Sequence, residues 1–337
     1  MRDIRLQIIC PASPQFRVTA GRAAPRRTRI FRFSMLSALS VAAAAPPGVR
    51  AEIVDENVEP IDFDTAADVI GISFMTYNAP RAYEIADRFR SRGKTVIFGG
   101  YHPSLLPEEA AAHADAVCIG EAEANLPRML EDYAQGRLQK FYRLRDPEFR
   151  SRPADPGLLR RGGYMRATVV QATRGCSHCC EFCSVSAFSE RVYKRKAIAD
   201  VIAEIEAGRR KRVLFMDDNL AADPEYFRAL LGALIPLGIR WYSQIGFAVT
   251  RDGELLDLMR ASGCGGVFIG FESLAQASLI ETGKGFNRAA DYEAGIAALH
   301  RHGVAVLAAF VLGYDHDGPE VFERTLAFLD RAGADAL

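Results

Sequence analysis

The chain has 337 residues, 42 basic and 42 acidic side chains, a formal net charge of zero and 49% hydrophobic residues. That profile excludes a disordered, collagen-like or coiled-coil protein, and the neutral balance excludes a protein whose main task is coating nucleic acid. The length favours two domains, because single cores stop growing near roughly 250–300 residues.

Residues 4–9 pattern as a strand. Residues 11–51 contain no acid and carry Arg17, Arg22, Arg26, Arg27, Arg29, Arg32 and Arg50, which is expected to be a solvated loop. The basic run before Met35 imitates an export signal, but a strand-like run precedes it. Residues 34–45 are therefore expected as a helix on a sheet, stopped by Pro46, Pro47 and Gly48. No apolar run approaches the ~20 residues a bilayer span needs, so no transmembrane segment and a cytoplasmic location are expected.

Strands follow at 51–54, 69–74, 94–100 and 116–119, and helices at 80–92, 107–114 and 126–134. The run Val69-Ile70-Gly71-Ile72-Ser73-Phe74 is apolar almost throughout, as in a strand buried on both faces. Strands separated by helices of this length predict an α/β, doubly wound parallel sheet over residues 1–136. Residues 137–165 lose periodicity and gather Pro147, Pro153, Pro156, Gly157, Gly162 and Gly163, which reads as a linker. From Arg166 onward, strands at 166–172, 212–217, 239–246, 266–271 and 304–313 alternate with helices at 197–209, 224–236, 252–262, 288–302 and 319–332. Five such units predict a TIM-like α/β barrel domain over 166–337.

Seven cysteines are present, and four of them fall within positions 176–183. The segment is Arg174-Gly175-Cys176-Ser177-His178-Cys179-Cys180-Glu181-Phe182-Cys183. Cys176, Cys180 and Cys183 have the spacing C-x3-C-x2-C on a loop after the first strand of the second domain. Soft thiolates suit iron–sulfur clusters. Three ligands for four irons leave one iron open to a small molecule. The alternative is structural zinc, with Cys179 or His178 as fourth ligand, although adjacent Cys179 and Cys180 would strain to reach one ion. Cys264, at a helix-to-strand turn, is expected to be packed rather than reactive.

Spacing and placement resemble the radical S-adenosylmethionine superfamily. The resemblance implies a 4Fe–4S cluster on Cys176, Cys180 and Cys183, with Phe182 beside it. The cluster's unique iron would bind S-adenosylmethionine, which one electron cleaves to a 5′-deoxyadenosyl radical. It implies contacts to the methionine amino group at Asp217, Asp218 and Asn219, to ribose and methionine at Glu272 and Ser273, and to adenine at Leu312 and Gly313. The second-strand motif departs from the Gly-Gly-Glu form common in the family.

In the first domain, Ser73, the pair Gly99-Gly100, and Gly120 with Glu121 stand at strand ends. Residues 69–123 closely resemble the cobalamin-binding domain fused to one large radical S-adenosylmethionine group, which implies a cobalamin tail beside those small residues. The cobalamin mutases' histidine loop is missing, since no histidine precedes His102. His102 itself, a lone histidine after a strand, is expected at the surface or in a cap. A flavodoxin-like spacer that binds nothing is the plainer alternative for this domain.

The resemblance implies an enzyme that methylates an unactivated carbon of a small-molecule or lipid-like substrate, with a flavodoxin- or ferredoxin-type electron donor. Alternatives are ring formation or rearrangement, a methylthiotransferase, and a non-catalytic corrinoid- or zinc-binding module. The methylthiotransferases carry three cysteines in the first domain, whereas here there are Cys10 and Cys118. The basic residues Arg191, Lys194, Arg195 and Lys196 are expected on a solvated face. Barrels of this family have six strand-helix units, so a partial barrel, truncated before its sixth strand, is expected.

Overall fold

The structure, a computed structural model, describes residues 3–12, 35–149, 151–153, 155–159 and 163–336. The arginines from Arg17 to Arg32 lie outside the described residues. The chain divides into two compact units, 1–165 and 166–337.

The first unit runs β1 (Ile4–Cys10), α1 (Leu36–Ala44), β2 (Val49–Asp55), β3 (Val69–Ser73), α2 (Ala79–Arg90), β4 (Thr95–Gly99), α3 (Tyr101–Leu105), α4 (Pro107–Ala111), β5 (Ala116–Cys118), α5 (Ala122–Ala134) and β6 (Phe141–Tyr142). Its strands are all parallel in the order β2-β1-β3-β4-β5-β6. The chain reverses direction across the sheet between β1 and β3, the point where open α/β sheets bind ligands. Side-chain alternation builds two cores. Ile4, Leu6, Ile8, Val69 and Ile97 face Leu39, Met129 and Leu130. Ile9, Ile70, Ile72, Val96 and Phe98 face Ala82, Ile85 and Phe89. Residues 141–142, inside the stretch read as a linker, form β6 and pair with β5.

The second unit runs β7 (Thr168–Val170), β8 (Thr173–Arg174), α6 (Ser184–Phe188), β9 (Lys194–Arg195), α7 (Ile198–Gly208), β10 (Arg212–Phe215), α8 (Pro224–Leu234), β11 (Arg240–Gln244), α9 (Gly253–Ala261), β12 (Cys264–Glu272), α10 (Gln276–Glu281), α11 (Tyr292–Arg301), β13 (Ala305–Phe310) and α12 (Val321–Ala332). Five parallel strands order as β13-β12-β11-β10-β7, each beside its predecessor, the winding of a barrel. At the β13 edge, Leu307 and Ala336 form a parallel bridge, and the Ala308 N–H donates to the Ala336 carbonyl at 2.9 Å. Asp223 and Asp252 cap α8 and α9 by accepting from backbone N–H groups of their first turns.

Trp241, on β11, is fully buried edge-on to Phe215 and Phe227, and its Nε1 donates to Ser262 Oγ at 3.1 Å. The basic run at 191–196 is not simply a solvated face. Lys196 is buried against Glu204 at 2.8 Å, and Arg195 pairs with Asp223. No helix among the described residues is long and apolar enough to cross a membrane.

Candidate functional site

The loop after β7 carries the cysteines at the carboxyl-terminal edge of the second sheet, the side where parallel strands bind ligands. Its start is tied to the residues that follow β10. Asp217 is buried and accepts from the Ala172 N–H at 3.1 Å, from the Thr173 N–H, and from the Thr173 hydroxyl at 2.7 Å. Asp218 accepts from the Gly175 N–H at 2.9 Å. Asn219 directs Nδ2 to Cys176 Sγ at 3.9 Å, while its Oδ1 accepts from the Gly246 N–H at 3.0 Å. All three residues therefore hold the cysteine loop or its neighbours. Burial pushes the Asp217 carboxyl up to about 7, against hydrogen bonds from Thr173 and Ala172 that pull it down. Burial also raises Asp218.

Gly175 has φ +84°, and a Cβ there would stand 2.1 Å from the Val192 carbonyl, so only glycine fits. Cys180 is buried, Cys176 and Cys183 are half-buried, Cys179 is exposed, and none is in a disulfide. The Cys183 N–H donates to the Cys180 carbonyl at 3.1 Å. Burial raises the Cys180 thiol, Lys284 pulls it back, and Cys183, Cys176 and Glu272 add to the rise. The other cysteines differ in kind. Cys10, Cys118 and Cys264 are buried, and burial pushes Cys118 and Cys264 up to about 12, which leaves them inert.

Glu272 ends β12 at a register shift against β13, with a left-handed φ of +65°. Its carboxylate pairs with Lys284 at 2.6 Å, and its carbonyl accepts from the Val311 N–H at 2.9 Å. Ser273 Oγ accepts from the Ala275 N–H. Leu312 is exposed, and the Gly313 N–H donates to Asp317 at 2.9 Å. Phe182 is exposed, its ring 6.4 Å from Tyr314. Lys284 and Tyr314 went unnoticed in the sequence. Glycines on both sides of Lys284 were the local cue.

At the same edge of the first sheet, Gly100 has φ +102°, and a Cβ there would fall 2.7 Å from the Phe74 carbonyl. Ser104, also unnoticed, joins two strand ends by donating to the Gly100 carbonyl at 2.7 Å and accepting from the Gly120 N–H at 2.9 Å. A Cβ on Gly120 would meet nothing within 4 Å, and one on Gly99 only Cys118 at 3.6 Å. The Glu121 carbonyl accepts from Asn125 Nδ2, and Ser73 ends β3. The segments that follow these strand ends expose Met75, Tyr77, Leu105 and Leu106. His102 is not at the surface as expected. It is 3% exposed, with Nε2 2.8 Å from the Tyr83 hydroxyl and Nδ1 3.3 Å from Thr76 Oγ1.

The residues fit the groups the sequence implies. Three unbridged thiols within electrostatic reach, one taking an N–H contact from Asn219, are a donor set for an iron–sulfur cluster. Among the described residues, no three His, Cys, Asp or Glu side chains come together as they would round one metal ion. A cubane does not ask that of them, because each cysteine takes a different iron. At Gly120 an added Cβ would meet nothing within 4 Å, and Met75, Tyr77, Leu105 and Leu106 are exposed after the neighbouring strand ends, a composition that suits a large planar ligand and its tail.

Comparison with known proteins gives two family models, the B12 binding domain over residues 31–130 and the radical SAM superfamily over residues 170–329. Bacteriochlorophyllide d C-12(1)-methyltransferase of Chlorobaculum tepidum is 33% identical over 80% of this chain and 62% of its own length. Bacteriochlorophyllide d C-8(2)-methyltransferase of the same organism is 31% identical over 85% of this chain and 68% of its own length. The chain thus spans roughly two thirds of the length of these curated relatives. The radical S-adenosylmethionine methyltransferase TsrM from Kitasatospora setae, solved with cobalamin and a [4Fe-4S] cluster bound, shares the fold, with a TM-score of 0.77 and 16% identity over 99% of this chain and 71% of that one. OxsB, a cobalamin-dependent S-adenosylmethionine radical enzyme, gives a TM-score of 0.71 and 16% identity over 97% of this chain and 52% of that one. With its B12-binding domain followed by a radical SAM domain, the chain belongs to the cobalamin-dependent radical SAM methyltransferase family.

Proposed function

We propose that the chain is the cofactor-binding and catalytic part of a methyltransferase acting on an unactivated carbon. Cys176, Cys180 and Cys183 would hold a 4Fe–4S cluster, and Asp217, Asp218 and Asn219 fix the loop that presents them. Glu272, Ser273, Leu312 and Gly313, beside Phe182, line the strand ends where S-adenosylmethionine would lie. Ser73, Gly99, Gly100, Gly120 and Glu121 would take cobalamin. When bound, these groups supply one-electron cleavage of a sulfonium and a carrier for the methyl group. The observation that carries the reading is the C-x3-C-x2-C loop, anchored by the buried Asp217 and the half-buried Asp218 at the carboxyl end of a parallel sheet wound as in a barrel.

Two relatives above 30% identity are named as bacteriochlorophyllide methyltransferases, which favours a planar tetrapyrrole as the substrate class. The burial of both ring nitrogens of His102 in side-chain hydrogen bonds supports a cobalamin without a histidine ligand from this loop. A one-electron donor of the flavodoxin or ferredoxin kind and a cytoplasmic setting complete the proposal.

Anaerobic reconstitution tests it. The expected product carries about four irons and four sulfides per chain, forms deoxyadenosine on reduction with S-adenosylmethionine, and shows corrinoid absorbance after loading with cobalamin. Retained zinc without deoxyadenosine overturns the catalytic half. Lack of corrinoid after loading overturns the other half.

A further inference from the structure

The segment after α10 lies against the cysteine loop at three points. The Glu181 N–H donates to the Thr282 carbonyl at 3.1 Å. A Cβ on Gly283 would meet the Cys179 carbonyl at 3.3 Å and the Cys180 Cα at 3.8 Å. The His178 ring stacks on Phe286, with centroids 3.9 Å apart and planes 13° from parallel. Lys284 sits within this strap, and its ammonium is paired with Glu272 at 2.6 Å, both side chains being largely shielded from water. Gly270 makes the room, since a Cβ there would fall 2.2 Å from Glu272 Oε1 and 2.9 Å from Lys284 Nζ.

Glu272 is kept at φ +65°, a left-handed conformation that is strained for a non-glycine residue. Strain of this kind persists where surrounding structure imposes it, and it clusters at functional sites.

We propose that Lys284 is a positioning residue that sets the redox poise of the cluster held by Cys176, Cys180 and Cys183, with Glu272 as its opposing charge. This rests on the cluster assignment above. Reduction adds one electron from a low-potential donor, breaks no bond, and leaves one more negative charge on the cluster. An ammonium on the strap that lies against the ligand loop stabilises that charge, and a carboxylate opposes it. The neutral pair therefore holds two levers of opposite sign.

The test is the midpoint potential of the reconstituted cluster in the full chain, without S-adenosylmethionine, followed by electron paramagnetic resonance during a dithionite titration. Lys284→Met is expected to lower the reduced-to-oxidised ratio at fixed potential about tenfold, a negative shift of about 59 mV for a one-electron couple. Glu272→Gln is expected to shift it to the positive side. The double variant should return toward wild type, and Lys284→Arg should stay there. A merely structural strap would lower cluster occupancy without shifts of opposite sign. Equal-signed shifts, or none in either single variant, overturn the inference. A wild-type chain that assembles no cluster takes the proposed function down with it, whereas unmoved potentials take down this inference alone.

Discussion

Asp217 Oδ1 lies 2.7 Å from the Thr173 hydroxyl and also takes that residue's backbone N–H, so one buried carboxylate fixes the entry to the cysteine loop. Its folded pKa, about 7, stands above the ordinary value. The native state therefore keeps the proton to a higher pH than the unfolded chain does. The stability this contributes is complete below about pH 4, the unfolded carboxylate value, and is lost as pH rises through the folded value. The urea midpoint of the second unit should fall from pH 5 to pH 8. Asp217→Asn should be less stable at each pH but have a flatter dependence. Equal slopes in the two proteins would refute the assignment.

Truncating the same residue removes the acceptor from two backbone N–H groups and a hydroxyl. Asp217→Ala should cost about 3 kcal/mol, the scale for stranding buried donors. Denaturant titration measures it, and a loss under 1 kcal/mol would contradict the burial described.

Neighbouring Cys179 and Cys180 should behave oppositely. Cys179 is exposed and Cys180 is buried beside the other two thiols. Cys179→Ala should keep the visible absorbance of a reconstituted cluster, and Cys180→Ala should lose it. The reverse pattern would reassign the ligand set.

Two glycines of the first unit separate strain from collision. Gly120→Ala meets no atom within 4 Å and bears only its positive φ, about 1–2 kcal/mol. Gly100→Ala adds a clash with the Phe74 carbonyl and N–H, for about 3–5 kcal/mol in all. Thermal unfolding of the two variants should rank them in that order.

His102 offers neither ring nitrogen to a ligand, because Tyr83 and Thr76 engage them. After loading with cobalamin, His102→Asn should leave the corrinoid spectrum unchanged while lowering the unfolding temperature. A spectral change on substitution would mean that the histidine turns to cobalt.

The parallel sheets were legible because their strands are long apolar runs spaced by amphipathic helices, and no competing pattern disturbs residues 69–134 or 212–310. What escaped was short or non-local. β6 has two residues, and Phe141 is exposed, so no periodicity announces it. The β8–β9 pair joins Thr173 to Arg195 and Arg174 to Lys194, across the whole cysteine loop. The cysteine spacing reveals the loop, but the pairing of Lys284 with Glu272 depends on how α10 turns back. His102 was misplaced because a lone polar residue after a strand carries no mark of the Tyr83 hydroxyl that meets it in the fold.

The chain's one tryptophan is Trp241, enclosed between Phe215 and Phe227 in the second unit. Its emission is therefore an intrinsic reporter of one unit only. Fluorescence should follow the melting of the barrel sheet and stay silent when the first unit unfolds. Circular dichroism registers both. A gap between the two transitions would show the units losing structure separately, and substitutions at Gly100 or Gly120 should move one curve while the other stays in place.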